Sequence, residues 1–233
     1  MTQRAEAPDT AADAELRRLL DTEPRRGFIL VAGAGSGKTT SLVKALAHVA
    51  TARGEELRAR TQQVACITYT EIAAREIQDD VGNSELVHVS TIHSFLWRVV
   101  KPFHRDIAVW VEENLRAKLA EAEERQANSS RGTRASTRDR MAVSIERYRR
   151  HLDALPGVTR YTYGIGSDYS RGILGHSDVL AMVPKLITER PLLARLVAAQ
   201  FPYIFVDESQ DTFKAVVECL KHVERLAQPS LPT

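Results

Sequence analysis

The segment from Phe28 to Arg53 constrains this chain more than any other. A continuous apolar run, Phe28-Ile29-Leu30-Val31-Ala32, is bounded by glycines, the pattern of a strand buried on both faces of a parallel sheet. It opens into Gly33-Ala34-Gly35-Ser36-Gly37-Lys38-Thr39-Thr40. From Thr39 to Arg53 the spacing of Leu42, Val43, Leu46, Val49 and Ala50 predicts a helix, with Gly54 as its stop. Strand, glycine loop and helix together turn backbone N–H groups around an anion and add the positive end of a helix dipole. Lys38 would reach the β and γ phosphates of a nucleotide, and Thr39 would offer a hydroxyl to Mg²⁺. The competing reading is a glycine-rich turn without a ligand, and the flanking strand and helix weigh against it. The strict pattern asks for Gly where this chain has Ala32.

The rest of the chain extends that pattern. Residues 1–13 show no periodicity and predict a frayed terminus. Strands are expected at Val64–Thr68, Val87–Val89 and Tyr203–Val206, and helices at Ile72–Asp80 and Ser94–Val100, the latter ended by Pro102. The middle then turns to helices alone, near Ile107–Glu124 and Asp139–Leu155, around a Ser/Gly/Arg-rich loop at Ala127–Thr137. Tyr161–Gly175 reads as an ordered loop. Helical spacing resumes at Asp178–Thr188 and Leu192–Ala199, and one more helix is expected from after Thr212 to about Leu226. Strands and helices alternating at both ends of a helical middle predict an α/β fold: a parallel sheet with helices on both faces and an all-helical insertion.

Composition narrows the class. With 233 residues, 43% hydrophobic and 27% charged, the chain can bury a core, which excludes disordered and fibrous classes. Two cysteines, Cys66 and Cys219, do not make a disulfide scaffold. No apolar run is long enough for a bilayer and the polar start is unlike a signal peptide, so the expectation is a soluble cytoplasmic protein with no membrane partner. The net charge of +2 hides a split: residues 101–175 carry fourteen Lys and Arg against ten acids, and Arg125–Arg150 alone has eight Arg against Asp139 and Glu146. Such a stretch is either a solvated helix face or linker, or a nucleic-acid contact.

The second chemical constellation is Ile204-Phe205-Val206-Asp207-Glu208-Ser209-Gln210-Asp211-Thr212. Two carboxylates follow an apolar strand directly. Elsewhere such a pair is commonly a solvated turn. Beside a phosphate loop it supplies the other half of a Mg·ATP site: one acid for the metal and one to polarise the attacking water.

Four segments in order carry a resemblance to the UvrD/Rep/PcrA-like superfamily 1 DNA helicases: Ala32–Thr39, with the Ala that is common at that family's opening position; Ile67-Thr68-Tyr69-Thr70-Glu71-Ile72-Ala73-Ala74-Arg75-Glu76; Ser90-Thr91-Ile92-His93-Ser94-Phe95; and Val206–Thr212. The resemblance covers nearly all of residues 25–227. It implies a RecA-like P-loop NTPase fold, in which residues 25–103 and 176–233 form the ATP-binding domain, 104–175 a DNA-contacting helical insertion, and 1–24 a flexible segment with a first helix. It implies that Ala32, Gly33, Ala34, Gly35, Ser36, Gly37, Lys38, Thr39 and Thr40 cradle ATP, that Thr39 and Asp207 hold Mg²⁺, that Glu208 activates water, and that Gln210 senses the γ-phosphate. Tyr69 would stack on a base of single-stranded DNA, while Thr70, Thr91 and His93 touch its backbone. From the residues alone, Tyr69 reads equally as a core aromatic at a strand end and His93 as a helix-start residue bonded to a carbonyl. Tyr161, Tyr163 and Tyr169 are either further stacking residues or loop packing.

The chain departs from that family in three places. The sequence given ends one helix past Thr212, so a second motor domain, with its arginines for the ATP site, would have to come from a longer parent or a partner protein. The chain alone is then expected to bind nucleotide, hydrolyse it poorly and not unwind DNA. No Gln lies between Gln3 and Gln62, where the family reads adenine; Arg17 or Arg18 stands there instead. Glu71-Ile72 replaces residues that are often Asn and Lys beside DNA, which weakens the phosphate contact. Two functional readings follow: the motor portion of a 3′–5′ helicase or translocase, or a non-unwinding module that holds nucleotide and DNA or a protein. Gln210-Asp211-Thr212 and Thr91–Phe95 argue against a P-loop kinase.

Overall fold

The computed structural model describes residues 4–24, 27–31, 33, 35–129, 135–207 and 214–227. Two compact units emerge, one from residues 1–95 with 187–233 and the other from residues 96–186.

The first unit is built on a parallel sheet. Strands β1 (Val64–Thr68), β2 (Val87–Thr91) and β5 (Tyr203–Val206) lie in the order β2-β1-β5, both pairs parallel. The central strand β1 is buried at every residue, as a strand with neighbours on both edges and helices over it must be. Helices α1 (Ala11–Asp21), α2 (Lys38–Ala52), α3 (Gly54–Ala59), α4 (Glu71–Asp80), α9 (Pro191–Gln200) and α10 (Lys214–Ala227) belong to this unit, as does the start of α5 (Ile92–Val100). The apolar stripe of α2, Val43, Leu46 and Val49, packs with Leu16 and Leu20 of α1 and with Val64, Cys66 and Val87 of the sheet in one buried cluster.

Two expectations are corrected here. Phe28–Val31 form no strand: Phe28, Ile29, Leu30 and Val31 are 38, 80, 42 and 89% exposed, and Ala32 lies outside the described residues. An apolar run has the propensity for a strand, but a strand exists only through pairing, and no described residue pairs with this run. Nor does the chain fray as far as residue 13. The Thr10 Oγ accepts the Asp13 N–H at 3.2 Å and the Asp13 carboxylate accepts the Thr10 N–H at 2.8 Å, a capping box that starts α1. Gly54, expected only to stop α2, also opens α3.

The second unit is led by the long helices α6 (His104–Ala127) and α7 (Ala135–Ala154), with α8 (His176–Glu189) returning toward the first unit along the sequence. Ile107, Trp110, Val111 and Leu115 of α6 and Ile145 of α7 are buried. The Tyr- and Gly-rich stretch is ordered and contains a two-stranded pair, β3 (Thr162–Tyr163) with β4 (Ile173–Leu174). Asp178, 3% exposed, ties it to α8 by accepting the Tyr169 hydroxyl at 2.7 Å, the Gly175 N–H at 3.0 Å and the Ser167 hydroxyl. Among the described residues no helix is long and apolar enough to cross a membrane.

Candidate functional site

In a parallel sheet all strands deliver their carboxyl ends to one edge, and that edge is where α/β folds bind ligands. The register sets Ile67 opposite both Ser90 and Val206, so β1, β2 and β5 end together at Thr68, Thr91 and Asp207. The next residues after β1 are Tyr69, 55% exposed, and Thr70, whose Oγ accepts the Ala73 N–H at 3.1 Å and so caps α4. Thr91 is buried; its hydroxyl donates to Glu71 Oε1 at 3.2 Å and its oxygen accepts the Ser94 N–H at 3.4 Å. His93 is half-buried one step into α5. The sheet thus gathers Tyr69, Thr70, Thr91, His93 and Asp207 on one edge.

Asp207 is half-buried and its N–H donates to Ile67 O at 2.8 Å, carrying the ladder one residue past β5. Burial, with the Asp207 carboxylate adding to it, pushes the Cys66 thiol up to about 12. Cys66 is therefore a core residue rather than a nucleophile. Glu208 and Gln210, read from sequence as the water-activating and sensing residues, lie outside the described residues, as do Ala32 and Ala34 of the loop.

The loop ahead of α2 is exposed at Gly33, Gly35, Ser36 and Gly37, while Lys38, Thr39 and Thr40 are half-buried in the first turn of the helix. Gly35 and Gly37 adopt φ of +72° and +86°, a region that other residues enter at a cost, so these two glycines set the turn. A Cβ placed on Gly33, Gly35 or Gly37 would meet nothing within 4 Å, so each of these glycines borders open space. Gly37 supplies no side-chain cap, which leaves the helix start to a ligand or water. The Lys38 Nζ donates to Gly33 O at 2.8 Å, holding the ammonium over the loop, and the Ser36 hydroxyl donates to the same carbonyl at 2.7 Å. Cradle, cation and helix start suit a polyphosphate. Among the described residues no three His, Cys, Asp or Glu converge on a metal position. Mg²⁺ takes one or two protein oxygens and completes its shell from phosphates and water; the Thr39 hydroxyl and the Asp207 carboxylate are oxygens of that kind.

Sequence reasoning named Ser36 but not its bond to the Gly33 carbonyl, and it missed Ser94 as a partner and the contact between Thr91 and Glu71. The first two carried a local signal, a hydroxyl at a loop turn and one three residues after a capping Thr. The third did not, since it joins residues on different elements. Tyr161 and Tyr169 are 3 and 5% exposed, so they pack the second unit and do not offer a stacking face. Arg138, Arg140, Arg147, Arg149 and Arg150 are exposed on α7, with Arg149 paired to Glu123 at 2.7 Å.

Comparison with known proteins identifies the family. The chain is 24% identical over 264 aligned positions to Gabija protein GajB of Bacillus cereus, covering 87% of this chain and 38% of that protein. It is 27% identical over 219 positions to ATP-dependent DNA helicase UvrD1 of Mycobacterium tuberculosis, covering 79% of this chain and 27% of the relative. It is 24% identical over 221 positions to ATP-dependent DNA helicase PcrA of Staphylococcus aureus, with 83 and 29% covered. The chain therefore spans about a quarter to two fifths of the length of these relatives. Residues 13–146 match the family model described as the UvrD/REP helicase N-terminal domain, and the chain belongs to that family.

Proposed function

We infer that this chain is the nucleotide- and single-stranded-DNA-binding portion of a 3′–5′ helicase or translocase. The observation that carries it is the shared strand-end edge, where an exposed Tyr69, the hydroxyls of Thr70 and Thr91, and the carboxylate of Asp207 stand together at the ends of neighbouring parallel strands. Lys38 and the N–H groups of Gly33–Thr40 would bind the phosphates of ATP. Thr39 and Asp207 would hold Mg²⁺, which supplies charge neutralisation on those phosphates. Glu208 would take a proton from the attacking water, and Gln210 would report the γ-phosphate to the DNA edge. Tyr69 would stack on a base while Thr70, Thr91 and His93 contact the backbone. The exposed arginines of α7 are proposed as a separate phosphate contact. Full turnover would draw on a second motor domain, as part of a longer protein or from a partner.

The test is binding of a fluorescent Mg·ATP analogue and of labelled single-stranded DNA to the chain and its variants. Lys38→Ala should weaken nucleotide binding by about 1.5–3 kcal/mol, the value of charge-assisted hydrogen bonds, and leave DNA binding in place. Tyr69→Ala should weaken DNA binding by about 1–3 kcal/mol irrespective of base sequence. Unchanged nucleotide affinity in Lys38→Ala would defeat the enzyme reading. A module that holds its ligands without turnover is favoured by one observation: Phe28–Val31, which lead into the loop, lie exposed outside the sheet.

A further inference from the structure

The strand-end edge carries a contact that opposes nucleic acid. Thr91 is only 7% exposed, and its hydroxyl donates to Glu71 Oε1 at 3.2 Å. A threonine hydroxyl has one proton, so while it points at Glu71 it cannot be given to a phosphate. The Ser94 Oγ, 3.0 Å away, is a second acceptor for the same proton, and the Thr91 oxygen accepts the Ser94 N–H at 3.4 Å. Glu71 is exposed and sits in the first turn of α4, directly after Tyr69 and Thr70. Its carboxylate therefore places a negative charge where a sugar–phosphate chain would pass. The fold of α4 does not require it there, because the cap comes from Thr70. An exposed carboxylate can swing outward without opening a cavity.

We propose, building on the reading of this edge as a single-stranded DNA surface, that Glu71 is a built-in restraint on DNA affinity. It competes with a backbone phosphate for the Thr91 hydroxyl and repels that phosphate while it does so. DNA then binds in exchange for the Glu71–Thr91 contact, and Glu71 sets how readily the surface lets go.

Fluorescence anisotropy of a labelled single-stranded oligothymidylate, titrated with the full chain at several salt concentrations, tests this. Glu71→Ala should bind about tenfold tighter, the size of one charge-assisted hydrogen bond. Glu71→Lys should also bind tighter and steepen the salt dependence by about 0.7 in log–log slope, one added phosphate contact on a single strand. In a Thr91→Val background the gain from Glu71→Ala should shrink to about threefold or less, since only the charge effect remains. Thermal melts of all variants report whether each is folded. Tight wild-type binding with no gain in Glu71→Ala, or an equal gain with and without the Thr91 hydroxyl, overturns the proposal and leaves the DNA surface standing. No binding by wild type, Glu71→Ala or Glu71→Lys at low salt overturns the DNA reading and the proposal together.

Discussion

At the scale of single residues, the Asp13–Lys44 pair shows how charge organises the start of this chain. Both side chains are about 3% exposed; the Lys44 Nζ donates to Asp13 Oδ2 and to Pro8 O, each at 2.8 Å. Burial alone would push the Asp13 carboxyl up, but hydrogen bonds from Lys44, Ser41 and Thr10 outweigh it and hold the group well below the usual carboxylate range. The Lys44 amine is raised above 10.5, first by that same hydrogen bond. The signs fix the pH behaviour. A carboxyl depressed on folding contributes stability that is present above its unfolded value, 3.8, and is lost as pH falls toward the folded one. An amine raised on folding contributes stability that is present below 10.5 and is lost as pH rises through its folded value. Asp13→Asn should therefore be less stable than wild type at neutral pH and lose less on acidification. Urea midpoints at pH 7 and pH 3 measure it, and an unchanged difference between the two proteins across that range would show that the pair carries no linkage.

At the scale of elements, two apolar runs of similar composition meet opposite fates. Val64–Thr68 pairs on both edges and is buried throughout. Phe28–Val31 is exposed, although Gly27 beside it is fixed by its N–H donating to Glu224 Oε1 of α10 at 2.7 Å. Hydrogen exchange distinguishes the two directly. Amides of residues 64–68 should exchange only through large-scale opening, and those of 28–31 at nearly the rate of an unstructured peptide. Strong protection at 28–31 in the ligand-free chain would mean that this run is paired in solution.

At the scale of the whole molecule, the chain divides into two compact units. Leu46, fully buried, belongs to the cluster over the sheet; Asp178 belongs to the network that orders residues 161–175. Both tryptophans, Trp97 and Trp110, fall in the second unit, so their fluorescence reports on that unit. Leu46→Ala should cost about 2–5 kcal/mol in the circular-dichroism transition and leave the tryptophan transition within about 0.5 kcal/mol. Asp178→Ala should shift the tryptophan transition by about 1–3 kcal/mol for each buried partner left unsatisfied. If Leu46→Ala moves both transitions together, the two units unfold as one.

Much of this protein is legible from its residues alone. The apolar runs of β1 and β5, the stripe Leu42-Val43-Leu46-Val49 of α2, and the glycines that allow the +72° and +86° turns are local properties, because period, propensity and left-handed φ are set within a few residues. The order of motifs likewise identifies the helicase family before any coordinate is known. Pairing is different, since it depends on which segments meet. Only the tertiary structure decided that Phe28–Val31 stays out of the sheet, that Asp13 is buried against a lysine 31 residues away, that Tyr161 and Tyr169 pack inward, and that Glu71 lies on the Thr91 hydroxyl. Each of these turns on whether residues apart in sequence meet, and the free energy of such contacts comes from neighbours that a linear pattern does not name.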